Sequence, residues 1–192
     1  MFRRLLLLTL AGTVAAAGVA RSTTVIPPSF DALVAGANTI FVGEVMNRRS
    51  EWDVTPSGRN IVTLVTFRVE DVWKGNLGAV TQLEFMGGEI GDLGMTVHGM
   101  PTFRMGQRDV LFVSREPKKI SPLVGLMYGR MRIERDTVSS TDRVRTHDGR
   151  ALGDVSQIGP QRAAPSLASI APMRLADLES AVRARLGIAR QR

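Results

Sequence analysis

The stretch from Thr39 to Gly75, TIFVGEVMNRRSEWDVTPSGRNIVTLVTFRVEDVWKG, constrains the fold more than any other part of the chain. Two β-rich runs, Thr39–Arg48 and Asn60–Trp73, flank a polar segment holding Pro56, Ser57 and Gly58. That is the pattern of a long hairpin. Ile40, Phe41 and Val42 are consecutive apolar residues, which predicts a strand covered on both faces. Gly43 inside the run predicts a close backbone approach or a bend. In the second run Val65, Phe67 and Val69 alternate with Thr66, Arg68 and Glu70. The phase then slips, because Val72 follows Glu70 on the polar face; a bulge near Glu70-Asp71 would restore burial. A straight run of this length spans roughly 40 Å at about 3.3 Å per residue, more than the width of a small domain. The strand is therefore expected to coil strongly, as walls of small closed barrels do.

The remaining segments read as further strands laid on this pair, with a helix at each end. Ser29 can cap a short helix whose Phe30, Leu33, Val34 and Ala37 share one face. Val80–Phe85 reads as a strand, and Met86–Gly94 as a glycine-rich loop. A short strand follows, with Met95 and Val97 inward and Thr96 and His98 outward. Asp109–Ser114 holds Val110-Leu111-Phe112-Val113, the most buried-looking run. Arg130–Glu134 alternates, with Met131 and Ile133 inward and Arg130, Arg132 and Glu134 outward. Asp142–Thr146 and Arg150–Leu152 can pair around Asp148-Gly149, a strong hairpin signal. Gly153–Ala171 has no period and reads as a linker or a loosely packed segment. Pro172–Leu186 reads as a helix, with proline in its first turn and Gly187 at its end. Its Leu175, Leu178, Val182 and Leu186 form one face, which either docks on the barrel or meets a partner or membrane surface. The expected fold is mainly β: a small OB-type or Greek-key barrel over 21–152, a linker over 153–171, and an amphipathic helix over 172–187.

Met1–Ala20 has the form of a secretory signal: Arg3 and Arg4, the apolar run Leu5–Leu10, then small residues ending in Ala15–Ala20. Cleavage is expected near Ala17 or Ala20; the alternative, a membrane anchor, needs a longer apolar run than this. The mature chain is thus expected to be soluble, without a transmembrane segment, and periplasmic or secreted. It has no cysteine, which suits an exported bacterial chain. Removing the two arginines of Met1–Ala20 takes the formal charge from +7 to +5. For an exported chain that favours an anionic surface polymer or an acidic protein over nucleic acid, unless the charge is simply a mixed-sign solvated surface.

Chemistry-bearing groups are sparse. There are two histidines, His98 and His147, and no cysteine nucleophile. His147-Asp148 falls in a predicted turn, and Ser57, Ser139 and Ser140 lack a nucleophile-elbow context. No enzymatic activity and no cofactor are expected. Met95, His98, Met100 and Met105 combine thioethers with an imidazole, a set that suits cuprous copper, although methionine also fills awkward core gaps. Arg68, Arg104, Arg108, Arg130 and Arg132 form an anion-binding surface if they gather on one barrel face; otherwise they pair with Glu70, Glu84 and Glu134 across strands. Trp52, near the hairpin tip, is either a partner-binding anchor or packed back on the barrel.

Two segments carry a family resemblance. Ala37–Val45, followed by Val65–Gly75 with its Trp73-Lys74-Gly75 ending, resembles the start of the netrin-like domain. Gly106–Val113 is similar to that superfamily's later glycine-containing strand, so the likeness covers roughly Phe30 to Glu134. The superfamily includes the tissue inhibitors of metalloproteinases, and the resemblance implies a five-stranded OB-type barrel flanked by helices. Those inhibitors hold the enzyme's zinc through a terminal cysteine and are braced by disulfides, whereas this chain has none. The resemblance therefore extends to an inhibitory role only by analogy of fold. Together these features predict an exported, non-catalytic binding domain for a protein or anionic surface partner. The alternatives are an inhibitor or chaperone of a co-exported metalloprotease, and a periplasmic copper-binding protein.

Overall fold

Thr39–Thr55 and Gly58–Lys74 form β1 and β2, an antiparallel pair of 17 residues each, in a computed structural model that describes residues 25–56, 58–114, 120–160 and 171–187. The expected signal segment, Met1–Ala20, lies outside the described residues. The ladder runs from Ile40↔Lys74 to Thr55↔Gly58, so the strands continue past Arg48 and begin before Asn60. Three residues are passed over in the register: Trp73 and Glu70 on β2, and Met46 on β1. The Glu70 irregularity falls where the hydrophobic phase slips. Each such insertion bends and twists its strand, which is how strands of this length fit a small domain. At Gly43 a side chain has no room, because an added Cβ would lie 2.8 Å from Cε2 of the Phe41 ring.

Six strands make one sheet in the order β3-β2-β1-β6-β7-β8, where β3 is Val80–Met86, β6 Arg108–Val113, β7 Arg130–Asp136 and β8 Thr141–Thr146. The β1-β2-β3 meander is followed by a return that lays β6 beside β1, the Greek-key order. The domain is mainly β and barrel-like, as expected; among the described residues no ladder joins β3 to β8. Curvature shows in the packing: Phe85 of β3 and Leu111 of β6 lie three strand spacings apart along the sheet, yet share one core cluster with Phe103.

Two cores result, one on each face. On the helix side Ile40, Val42, Val110, Phe112 and Ile133 pack against Leu33 and Val34 of α1, Phe30–Gly36, and against Leu178 and Val182 of α2, Leu175–Arg185. On the concave side Phe41, Val45, Val65, Phe67, Phe85, Phe103 and Leu111 pack together. Consecutive residues of β1 and β6 are buried because alternate side chains enter opposite cores. Ser29 caps α1, its hydroxyl accepting from the Ala32 amide at 3.2 Å. Helix α2 is docked, and Arg185 Nε reaches Asp31 of α1 at 2.8 Å. Among the described residues no helix is long and apolar enough to cross a membrane.

Several expectations are corrected. Helix α2 starts at Leu175 rather than Pro172, because the segment before it is extended and bridges to β8: Val144 donates to the Met173 carbonyl at 2.9 Å, and Met173 donates to the Leu152 carbonyl at 2.7 Å. The expected glycine loop contains a hairpin, β4 (Gly88–Ile90) with β5 (Leu93–Met95), whose turn uses Gly91 at φ 58°. Thr96–Pro101 then forms no strand, so the predicted alternation of Val97 and His98 does not arise. Part of the expected linker is packed: Val155–Gln157 is a 3-10 turn capped by Asp154, with Val155 and Ile158 against the helix-side core. Residues 161–170 of that segment lie outside the described residues.

Candidate binding groove

The groove is built on the concave face of the β1–β2 ribbon. The register places Arg48 opposite Val65, Ser50 opposite Thr63, Trp52 opposite Ile61 and Val54 opposite Arg59, so these pairs share one face. Ser50 and Thr63 put hydroxyls 3.2 Å apart on the floor. Thr63 Oγ1 donates to the Gly87 carbonyl at 2.6 Å, and the Glu89 amide donates to Ser50 Oγ at 3.3 Å. This hydroxyl pair pins the β4–β5 hairpin over the ribbon. Gly88 sits directly on both hydroxyls at φ 145°, where no side chain fits. Between the hairpin, the floor and the Thr96–Phe103 segment lies an open cavity of about 480 Å³. Val65, Phe85, Phe103, Met95 and Met100 give it apolar surface; Ser50, Thr63, Arg48, Arg49 and Glu89 give it polar groups.

Phe103 closes the inner end. Its ring meets Phe67 edge-on at 5.4 Å and Phe85 at 4.9 Å, and its carbonyl accepts from Arg48 Nη1 at 3.2 Å. On its other side the Arg130 guanidinium stacks 4.5 Å from the ring centroid. Arg130 Nε donates to Asp109 Oδ1 at 3.0 Å, and Nη1 to the Thr102 carbonyl at 2.7 Å. Asp109 is 0% exposed and Arg130 4%. Asp109 Oδ2 and Arg132 Nε are buried without a hydrogen-bond partner. Burial pushes the Asp109 carboxyl upward, against the pull of Arg130 and Arg132.

The expected arginine surface does not form, and Arg130 is not outward. Strand alternation divides the five residues. Arg108 pairs with Ile133 in the ladder and shares its face with the helix-side core, whereas Arg130 and Arg132 stand opposite Leu111 and Asp109 on the concave side. Arg108 bonds Glu70 at 2.7 Å and Asp142 at 2.8 Å, and Arg68 bonds Glu44. Arg104 is exposed on the turn before β6. The thioether–imidazole set divides too. Met95 and Met100 line the groove; His98 and Met105 do not, and Met105 is 64% exposed. Among the described residues no three His, Cys, Asp or Glu side chains gather as a metal site.

Trp52 lies on the ribbon beyond the cavity, 37% exposed, with the Arg59 guanidinium 4.7 Å from its ring centroid. Arg59 of the neighbouring strand covers one part of its ring. Phe103 had no sequence signal, since Pro101 and Met105 bracket it without periodicity. A smaller cavity of about 240 Å³ brings Tyr128, His147, Asp148 and Arg150 together, with the His147 and Tyr128 rings edge-on at 5.0 Å. Burial lowers the His147 pKa; Asp148 opposes this, and Arg150 and Arg130 reinforce it. Compared with family models, curated proteins and solved structures, the chain matches none.

Proposed function

We propose that this chain is an exported binding domain that holds a protein partner of the cell envelope or the extracellular space in the groove between the β1–β2 ribbon and the β4–β5 hairpin. The supporting observation is the groove's mixed lining: apolar Val65, Phe85 and Met100 beside the Ser50–Thr63 hydroxyl pair and Arg48. Such a surface takes apolar side chains of an extended segment while offering hydrogen bonds to its backbone. OB-type barrels commonly use one strand face with its adjoining loops in this way. Trp52 stands on the same face beyond the open end and adds an amphipathic anchor. A protein segment fits this chemistry better than an anionic polymer, because the arginines expected to attract a polymer are dispersed or paired. The netrin-like resemblance makes a co-exported metalloprotease one candidate partner. Export rests on the signal-like Met1–Ala20.

The test is site-specific photo-crosslinking in intact cells, with the probe at Met100 in the groove and, as a control, at Val138 on the exposed β7–β8 turn. The expected result is one protein adduct from Met100, weakened by Trp52→Ala and absent from Val138. Adducts indistinguishable between the two positions would refute the groove.

A further inference from the structure

The β1 strand has an edge that the sheet leaves open. Its partner β6 covers it from Thr39 to Glu44, and Gly106 and Gln107 bond the Val45 backbone beyond that, while its pairing with β2 continues to Thr55. Among the described residues no strand lies beyond β1 from Asn47 onward on that side.

The direction of the edge amides follows from the neighbouring ladder. The Gly87 amide donates to the Ile61 carbonyl at 2.7 Å, so the Ile61 backbone faces away from β1. Ile61 stands opposite Trp52, which makes this a non-hydrogen-bonded pair, and the Trp52 N–H and C=O point to the open edge. The two-residue period gives Ser50 and Arg48 the same orientation. The Arg48 amide is taken by its neighbour Asn47 Oδ1 at 2.8 Å, the kind of local bond an outward edge amide makes.

Natural edges are usually guarded by charge. Here the charges divide about Ser50: Arg48 and Arg49 precede it, Glu51 and Asp53 follow. An antiparallel copy of the same edge reverses that order. We propose that β1 pairs with β1 of a second copy of this chain, antiparallel about a two-fold axis at Ser50. Within one copy Arg49 Nη1 bonds Glu51 at 2.5 Å; in this register each Arg49 also stands opposite Glu51 of the second copy. Arg48, bonded through Nη1 to the Phe103 carbonyl, stands opposite Trp52 of the second copy, also twice. The outward backbone of Arg48, Ser50 and Trp52 meets that of Trp52, Ser50 and Arg48. Sliding by one step in either direction puts Arg49 on Arg49 or Glu51 on Glu51, and like charges directly opposite are unfavourable. Charge thus selects one register. Met46 and Val54, exposed at 46% and 73%, flank the pairing.

The axis stands perpendicular to the sheet, so both binding grooves open on the same side of one twelve-stranded sheet. Arg48, Ser50 and Trp52 belong to both the groove and this pairing, but a test on the purified protein alone stands apart from the groove's occupant. That test is sedimentation equilibrium of the purified protein, with circular dichroism to check the fold. The wild type should dimerise at micromolar concentration, and Glu51→Lys should weaken dimerisation by about tenfold or more. The exchanged pair, Arg49→Glu with Glu51→Arg, restores opposite charges in trans and should restore the dimer. A wild type that stays monomeric at 100-fold higher concentration, roughly 100 μM, would overturn the proposal. So would a dimer that ignores Glu51→Lys.

Discussion

Replacing Arg130 by methionine removes the counter-charge of a carboxylate that water does not reach. Asp109 is 0% exposed, and only its Oδ1 is bonded, by Arg130 Nε at 3.0 Å. Methionine keeps most of the volume beside Phe103 but leaves the Asp109 charge and the Thr102 carbonyl without that partner. Removing one member of a buried pair costs about 3–5 kcal/mol, a large part of the roughly 5–15 kcal/mol that holds a domain together. For a chain of this size the melting temperature should fall by about 6–20 °C. The loss should depend on pH. Burial already raises the Asp109 carboxyl above its ordinary value, and removing Arg130 removes the principal force opposing that rise. The native state then keeps its proton where the unfolded chain has released it, so stability falls as pH rises through the folded pKa. The deficit should be greatest at neutral pH and shrink as pH falls below ~4, the ordinary range of an aspartate, where the carboxyl becomes neutral in both states. Urea unfolding at several pH values, followed by the fluorescence of buried Trp73, measures this directly. Adding Asp109→Asn should recover much of the loss at neutral pH. A deficit below about 1 kcal/mol, or one equal at all pH values and untouched by the second substitution, would refute the reasoning.

Leu178→Ala in α2 should cost about 2–5 kcal/mol by chemical denaturation, because the side chain is wholly buried in the helix-side core; a change under about 0.5 kcal/mol would mean that α2 is not docked. Gly43→Ala should cost about 1–3 kcal/mol, measured as a lower melting temperature, since the added Cβ meets the Phe41 ring at 2.8 Å and Phe67 Cβ at 3.3 Å. Burial alone would raise the Asp142 carboxyl, but Arg108 and Arg135 outweigh it and hold the group below its ordinary value. The stability it contributes is therefore present above pH ~4 and lost as pH falls through the folded pKa, so Asp142→Asn should flatten the acid limb of a pH–stability curve.

Much of the architecture was legible along the chain. The phase slip after Val69 announced the bulge, the run Ile40–Val42 announced a strand covered on both faces, and Asp148-Gly149 announced a turn. These signals are local: each depends on a few neighbouring residues and the two-residue period of a strand. The candidate site was far less legible. The β4–β5 hairpin is short and rich in glycine, with little propensity of its own, and it forms because Ser50 and Thr63, some 25 to 40 residues earlier, hold its backbone. Alternation marked Arg130 as outward, but on a strand packed on both sides each face is an interior.

Periodicity, turn residues and the absence of cysteine determined the class of this protein: a mainly β domain, folded without disulfides, centred on one long hairpin. Which residues meet across that hairpin was decided only in three dimensions. A one-strand offset places Arg108 beside Glu70 and Arg130 beside Asp109, on opposite faces of the same sheet. The physical reason is that side-chain period belongs to a strand, whereas register, curvature and the company a charge keeps belong to the whole sheet. The groove at Ser50 and Thr63 and the open edge of β1 are both consequences of where the neighbouring strands stop.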